Sequence, residues 1–199
     1  MRHFSDDILI IATHNQGKFG EFQELLEPYV KEIVSAEQAG VPEPEETGET
    51  FAENALLKAK ASAKASGRAA LADDSGLCVT ALDGKPGLHS ARWAGLDRDF
   101  KLAMKSVHDA LGGASDRSAY FTCVLALAWP DGHAETVEGR CDGTIVWPPR
   151  GDQGHGYDPI FMPLGHNRTF AEMSAVEKQA LSHRGIASRE LVVKLFKPR

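Results

Sequence analysis

Residues 8–18 run ILIIATHNQGK. The apolar residues Ile8 to Ala12 form a short unbroken run, the pattern of a strand buried on both faces. Thr13 to Lys18 is a polar turn that contains Gly17. Phe19, Phe22, Leu25 and Leu26 then recur at helical spacing, and Pro28 stops the pattern. Strand, polar turn and helix open an α/β fold. Working outward, Lys31 to Ser35 predicts a second strand, and VPEPEETGE at 41–49 predicts a Pro-rich acidic loop. Thr50 and Glu53 have capping-box spacing. The Ala-, Leu- and Lys-rich stretch to Ser66 predicts a helix that Gly67 ends. Ala69 to Ala72 is a short apolar strand running out into Asp73-Asp74-Ser75-Gly76, and Leu77 to Gly95 is rich in turn residues. Asp99 to Leu111 predicts a helix closed by Gly112-Gly113. Ser118 to Trp129 and His133 to Val146 flank the turn Pro130-Asp131-Gly132 and predict a hairpin. Asp158 to Met162 predicts one more strand. Ser174 and Glu177 open a short helix, and Ser182 caps a last one. Alternating strands and helices followed by a hairpin give a mixed α/β fold with a mixed sheet.

A chain of 199 residues makes one domain, spanning 1–199, or two lobes sharing a core. Hydrophobic residues at 42% and charged residues at 25% exclude a disordered, collagenous or coiled-coil chain. No apolar run approaches the ~20 residues of a membrane span, so no membrane partner is expected. Residues 1–7 lack the charged and apolar regions of a signal peptide. Cys78, Cys123 and Cys141 are widely spaced with no C-x-x-C, which speaks against a disulfide framework or a cysteine zinc site and for a cytoplasmic location. The net charge is −6, from 22 basic and 28 acidic residues. The basic excess of a nucleic-acid binder is absent. Such a chain binds a small polyanion only through local cations, backbone N–H groups or a metal.

Five constellations meet that requirement. Thr13-His14-Asn15-Gln16-Gly17-Lys18 precedes a helix whose first amides and dipole favour phosphate. It has the logic of a P-loop without the G-x-x-x-x-G-K-[ST] spacing, and it also fits an ordinary strand–helix turn. Asp73 and Asp74 at a strand end supply hard oxygen ligands suited to Mg2+. Adjacent strand residues point to opposite faces, so one of the two faces the ligand and the other holds backbone or a supporting partner. An Asx turn on a solvated face explains them equally. Glu45-Glu46-Thr47-Gly48 is a solvated acidic loop unless it folds back toward Asp74 to complete a magnesium site. Gly154-His155-Gly156-Tyr157-Asp158 lets backbone approach a flat ligand, or makes a strained turn with Tyr157 in the core. Lys178 and Ser182 share a helix face if the helix continues that far. His183 and Arg184 offer donors to the 6-oxo group and N7 of a purine, or the segment simply satisfies a helix end. Together these sets point to a nucleotide hydrolase.

Six segments in one order resemble the inosine/xanthosine triphosphate pyrophosphatases: THNQGKFGEFQELL, EETGETFAENALLKAKA, ALADDSGLCVTALDGKPGLHSARWAG, FTCVLALA, GHGYDPIFMP and MSAVEKQALSHRG. The resemblance runs from about Ile8 to Ala187. It implies an elongated two-lobed α/β fold, with a long mixed β-sheet flanked by helices and a central active-site cleft, generally as a homodimer. The implied reaction is Mg2+-dependent hydrolysis of ITP, dITP or XTP to the monophosphate and pyrophosphate. By motif, Thr13, His14, Asn15, Gln16, Gly17 and Lys18 would cradle the triphosphate, with Asn15 and Lys18 as chief contacts. Glu46 and Asp74 would hold Mg2+, Asp74 would act as catalytic base, and Ser75 would touch the nucleotide. His155, Gly156, Tyr157 and Asp158 would lie along the base and sugar. Lys178 would reach the phosphates or the base edge, and His183 and Arg184 would read the purine. The family usually has Phe where this chain has His155. An imidazole still stacks, and with an ordinary pKa near ~6.5 it would make base affinity acid-sensitive. Three other readings remain: a pyrophosphatase for other modified nucleotides, a non-catalytic nucleotide sensor, and a phosphomonoesterase with an aspartyl nucleophile at Asp73 or Asp74.

Overall fold

A computed structural model describes residues 2–197; residue 1 and residues 198–199, at the ends of the expected 1–199 domain, lie outside the described residues. Six strands form one mixed sheet: β1 (Ile8–Ile11), β2 (Glu32–Ser35), β3 (Ala69–Val79), β4 (Ser118–Ala128), β5 (Ala134–Ile145) and β6 (Phe161–Pro163), in the order β2-β1-β3-β4-β5-β6. β1 runs parallel to both neighbours, with Leu9 opposite Ile33 on one side and Ala69 on the other. β5 and β6 are antiparallel, with Thr144 opposite Met162. The expectation of a strand buried on both faces at Ile8 to Ala12 is met, since Leu9 and Ile11 on one face and Ile10 and Ala12 on the other are buried.

Helix α1 (Gln16–Leu26) joins β1 to β2, and α2 (Phe51–Ser66) joins β2 to β3. The two connections step across the sheet in opposite directions. Right-handed crossovers therefore put the two helices on opposite faces. The pleat decides which residues each helix meets. The even row Ile10, Ala12, Ala70 and Ala72 packs with Ala55, Ala59 and Ala63 of α2, and the alanines let helix and sheet approach closely. The odd row Leu9, Ile11 and Leu71 is fully buried on the other face. Asp73 continues the odd row and Asp74 the even one.

The chain divides into two compact units. The first comprises residues up to 74, with 124–138 and the chain from 187 onward; the second comprises 75–123 and 139–186. The α2 cluster just described is one layer of the core of the first, which also buries Phe4 against Phe196. The second is built around Leu77, Val79, Phe121, Phe161 and Phe170, with Met104 and Val107 supplied by α3 (Phe100–Leu111), whose N-cap is Asp99. All three cysteines belong to the second unit, and all are buried and outside any disulfide.

Several boundaries differ from the sequence expectation. β3 does not end at Ala72; it runs through Asp73-Asp74-Ser75-Gly76 to Val79, because each carboxylate finds a lysine and remains in the ladder. Residues 158–162 are a 3-10 turn followed by β6, since Pro159 cannot donate to a ladder. Thr50 caps α2 through Glu53 N, but the Glu53 carboxylate turns to Glu49 N, so the box closes one residue early. The helix after Ser174 stops at Leu181 (α4, Ala175–Leu181). Ser182 is extended there, and its hydroxyl accepts from Gly185 N at the start of α5 (His183–Leu195). Lys178 and Ser182 thus share no continuous helix face. No helix among the described residues is long and apolar enough to cross a membrane.

Candidate active site

The first unit gathers one group of polar side chains. Asn15 is the N-cap of α1: its Oδ1 accepts from Lys18 N at 3.1 Å, and Thr13 Oγ1 accepts from Asn15 N at 3.2 Å. A Cβ on Gly17 would lie 3.2 Å from that Asn15 oxygen, so glycine leaves the cap undisturbed. His14, Asn15, Gln16 and Gly17 are exposed, and α1 carries no acidic residue in its first turn. The first amides of a helix have no partner within it, so this end offers N–H groups and a partial positive charge to an anion. Lys18 turns its Nζ onto Asp73 Oδ2 at 2.7 Å. The Asp73 side chain is only 3% exposed, and it fixes the ammonium beside the helix end.

Asp74, on the other face of β3, meets α2. Lys58 Nζ lies 2.5 Å from Glu46 Oε1 and 3.8 Å from Asp74 Oδ1. One turn earlier, Asn54 Oδ1 accepts from Gly48 N at 2.8 Å, and the same side chain hydrogen-bonds Asp74. The acidic loop does fold back, and these two buried α2 residues hold it there. The Asp74 carboxyl is pushed up to about 6. Burial is the main cause, with Glu46 and Asp73 adding to it, while Lys58 and the Asn54 hydrogen bond act against it. A carboxyl with that value is largely ionised at neutral pH yet basic enough to accept a proton.

The second unit gathers the rest. Asp158 is buried, and its Oδ2 accepts from Lys178 Nζ at 2.5 Å and from His155 N at 2.8 Å. This carboxylate therefore shapes the 154–157 turn from inside. A Cβ on Gly154 would fall 2.1 Å from it, at a φ of +71° that favours glycine. His155 is exposed and Gly156 half-buried at the tip. Tyr157 points the other way: it is buried, donates its hydroxyl to Ser90 O at 2.7 Å and packs edge-on against Phe100. Of the alternatives for this segment, the core position is the one Tyr157 takes. His183 and Arg184 are both buried at the start of α5, and the His183 ring stacks on Phe121 with centroids 4.7 Å apart. Ser75, next to Asp74 on β3, is half-buried.

The profile of the Ham1 family matches residues 9–194. The chain belongs to the Ham1 family. The dITP/XTP pyrophosphatase of Gluconobacter oxydans is 56% identical over 179 residues, covering 90% of this chain and 86% of that protein. That of Rhodospirillum centenum is 54% identical over 198 residues and covers 98% of each. The structure of a HAM1 protein from Coxiella burnetii superposes with a TM-score of 0.88 at 42% identity, over 94% of this chain and 96% of that one.

Two residues of this Ham1 chain escaped the sequence reading. Lys58 and Asn54 lie inside the EETGETFAENALLKAKA segment, but they look there like ordinary helix residues. The signal was their spacing: both fall on the α2 face carrying Ala55 and Ala59, where an uncompensated lysine has no place. Phe121 read only as core, and its contact with His183 is not visible in one dimension.

The donors suit a hard divalent cation. Glu46 and Asp74 offer carboxylate oxygens around a shared point. Within the group, three carboxylates (Glu46, Asp73, Asp74) face two ammonium groups (Lys18, Lys58), leaving one negative charge in excess. Among the described residues no three His, Cys, Asp or Glu side chains form a set able to hold a metal unaided. Mg2+ typically takes one or two carboxylates and completes its shell with water and substrate phosphates, which is the arrangement this site can supply.

Proposed function

We propose that this Ham1 protein is a Mg2+-dependent pyrophosphatase that hydrolyses deaminated purine nucleoside triphosphates (ITP, dITP and XTP) to the monophosphate and pyrophosphate. The observation that carries the reading is the pairing of Asp73 with Lys18 and of Asp74 with Lys58 at adjacent positions of one strand. It supplies a phosphate-binding cation, Lys18, and a basic carboxylate, Asp74, together. The names of the relatives support the same activity.

Each residue then has a task. The amides at the start of α1 and the Lys18 ammonium bind phosphate oxygens. Asp73 sets where Lys18 points. Mg2+ held by Glu46 and Asp74 would offset the charge developing on the leaving pyrophosphate. Asp74 orients a water for in-line attack on the α-phosphorus and accepts its proton. Buried His183 and Arg184 donate to the 6-oxo edge, which adenine, bearing an amino group there, leaves unmatched at a cost of about 1–3 kcal/mol. Lys178, held by Asp158, presents a cation beside the turn that carries His155, whose ring stacks on the base. A homodimer, a cytoplasmic location and the absence of membrane or nucleic-acid partners belong to the same proposal. They are supported by the family resemblance, the cysteines outside any disulfide and the acidic net charge.

The test is incubation with ITP, XTP, GTP and ATP, with and without Mg2+, assaying pyrophosphate and orthophosphate separately. Pyrophosphate from ITP and XTP, lost in EDTA, is expected. Orthophosphate as the sole product would favour a phosphomonoesterase and overturn the reading, as would undiminished turnover in EDTA.

A further inference from the structure

We propose that Lys58 is an internal counter-cation that denies the Glu46–Asp74 pair to a divalent ion until nucleotide arrives, so that metal and triphosphate are taken up together. The inference rests on the reading of Glu46 and Asp74 as the Mg2+ ligands and assigns Lys58 a role against that ion.

The argument is one of place and charge. Lys58 is 8% exposed, on a helix pressed onto the sheet through Ala55, Ala59 and Ala63. Its ammonium bonds Glu46 and stands 3.8 Å from Asp74. It therefore stands beside both carboxylates, and a cation shared by them meets its charge at close range. With Lys58 and Lys18 charged, the group carries one excess negative charge, and a dication alone would reverse its sign in a partly desolvated place. Unit charges a few Å apart there interact by several kcal/mol at an effective dielectric near ~20. The several negative charges of a triphosphate restore the balance. Asn54 ties down the adjacent loop independently through Gly48 N. Lys58 is thus not the sole anchor of residues 46–48.

The experiment measures Mn2+ binding to the full chain without nucleotide, by electron paramagnetic resonance of free Mn2+. The parent is compared with Lys58→Met, Lys58→Arg and Glu46→Gln. Lys58→Met is expected to bind Mn2+ about tenfold or more tightly than the parent. Lys58→Arg, which keeps the charge, should stay at the parent's affinity, and Glu46→Gln should bind more weakly. A non-hydrolysable ITP analogue should close the gap between parent and Lys58→Met. Equal or weaker Mn2+ binding by Lys58→Met overturns the counter-cation role and leaves the metal site standing. Failure of Glu46→Gln to weaken Mn2+ binding, in the parent or in the Lys58→Met background, overturns the metal reading itself. If the methionine variant does not fold, Lys58→Gln carries the same comparison.

Discussion

Asp74 holds its charge at a cost to the fold. Its carboxyl is pushed up to about 6, chiefly by burial, from an ordinary value near 3.8. Between those two values the folded chain binds more protons than the unfolded one. Stability therefore falls as pH rises through that window, and above about 6 the full penalty is present. Asp74→Asn removes the penalty. In EDTA at pH 7.5 the variant should be more stable than the parent by about 1–3 kcal/mol, and the gap should close by pH 4, as read by urea denaturation. The same substitution should lower turnover by about 10²–10⁴-fold while nucleotide still binds. Near-normal turnover would remove Asp74 from the base role. His155 offers a second test at this scale: if its ring stacks on the base, His155→Phe should flatten any rise in KM for ITP on acidification and leave kcat in place. An unchanged pH profile would show that the imidazole charge plays no part.

The loop at 41–49 and helix α2 work as one piece, joined by Gly48. A Cβ there would lie 2.7 Å from both Asn54 Oδ1 and Glu53 Cβ, with no room to yield against the helix. Gly48→Ala should therefore push Glu46 off its place and cut turnover about 10–100-fold at low Mg2+, with partial recovery as Mg2+ is raised. The thermal midpoint should barely move, because Glu45, Glu46 and Thr47 of the loop are exposed and cover no core. Unaltered kinetics would show that the loop does not carry the metal ligand. This coupling marks how far a single sequence can be read. The strand at 8–11, the polar turn and α1 were legible because period and turn chemistry are local. So was α2, from Thr50 to Gly67, and the alternation that sends Asp73 and Asp74 to different partners. The end of β3 was misread because two aspartates look like a turn until their lysines, 55 and 16 residues earlier, are brought beside them. Lys58 was missed for the same reason: a buried lysine announces itself only through partners that the sequence does not place. Ser182 shows the opposite limit, where one residue ends α4 and caps α5, a break that i, i+4 spacing across Lys178 conceals.

Across the whole molecule, chemistry and packing are distributed unevenly. The carboxylate–lysine group belongs to the first unit, resting on an alanine-lined interface of helix and sheet. The aromatic core of Phe121, Phe161 and Phe170 belongs to the second, along with His183 and Arg184. If the assembly is a homodimer, light scattering should give twice the chain mass. The three cysteines have a practical consequence. Cys123 is fully shielded, Cys78 and Cys141 nearly so, and burial raises the thiols of both, that of Cys141 to about 11. Reactive thiolate is therefore scarce while the native packing holds. An alkylating dye added to intact enzyme would tag the chain only as fast as the aromatic half breathes open. Its colour would serve as a built-in stopwatch, one that a bound purine should slow and phosphate alone should leave ticking at its usual rate.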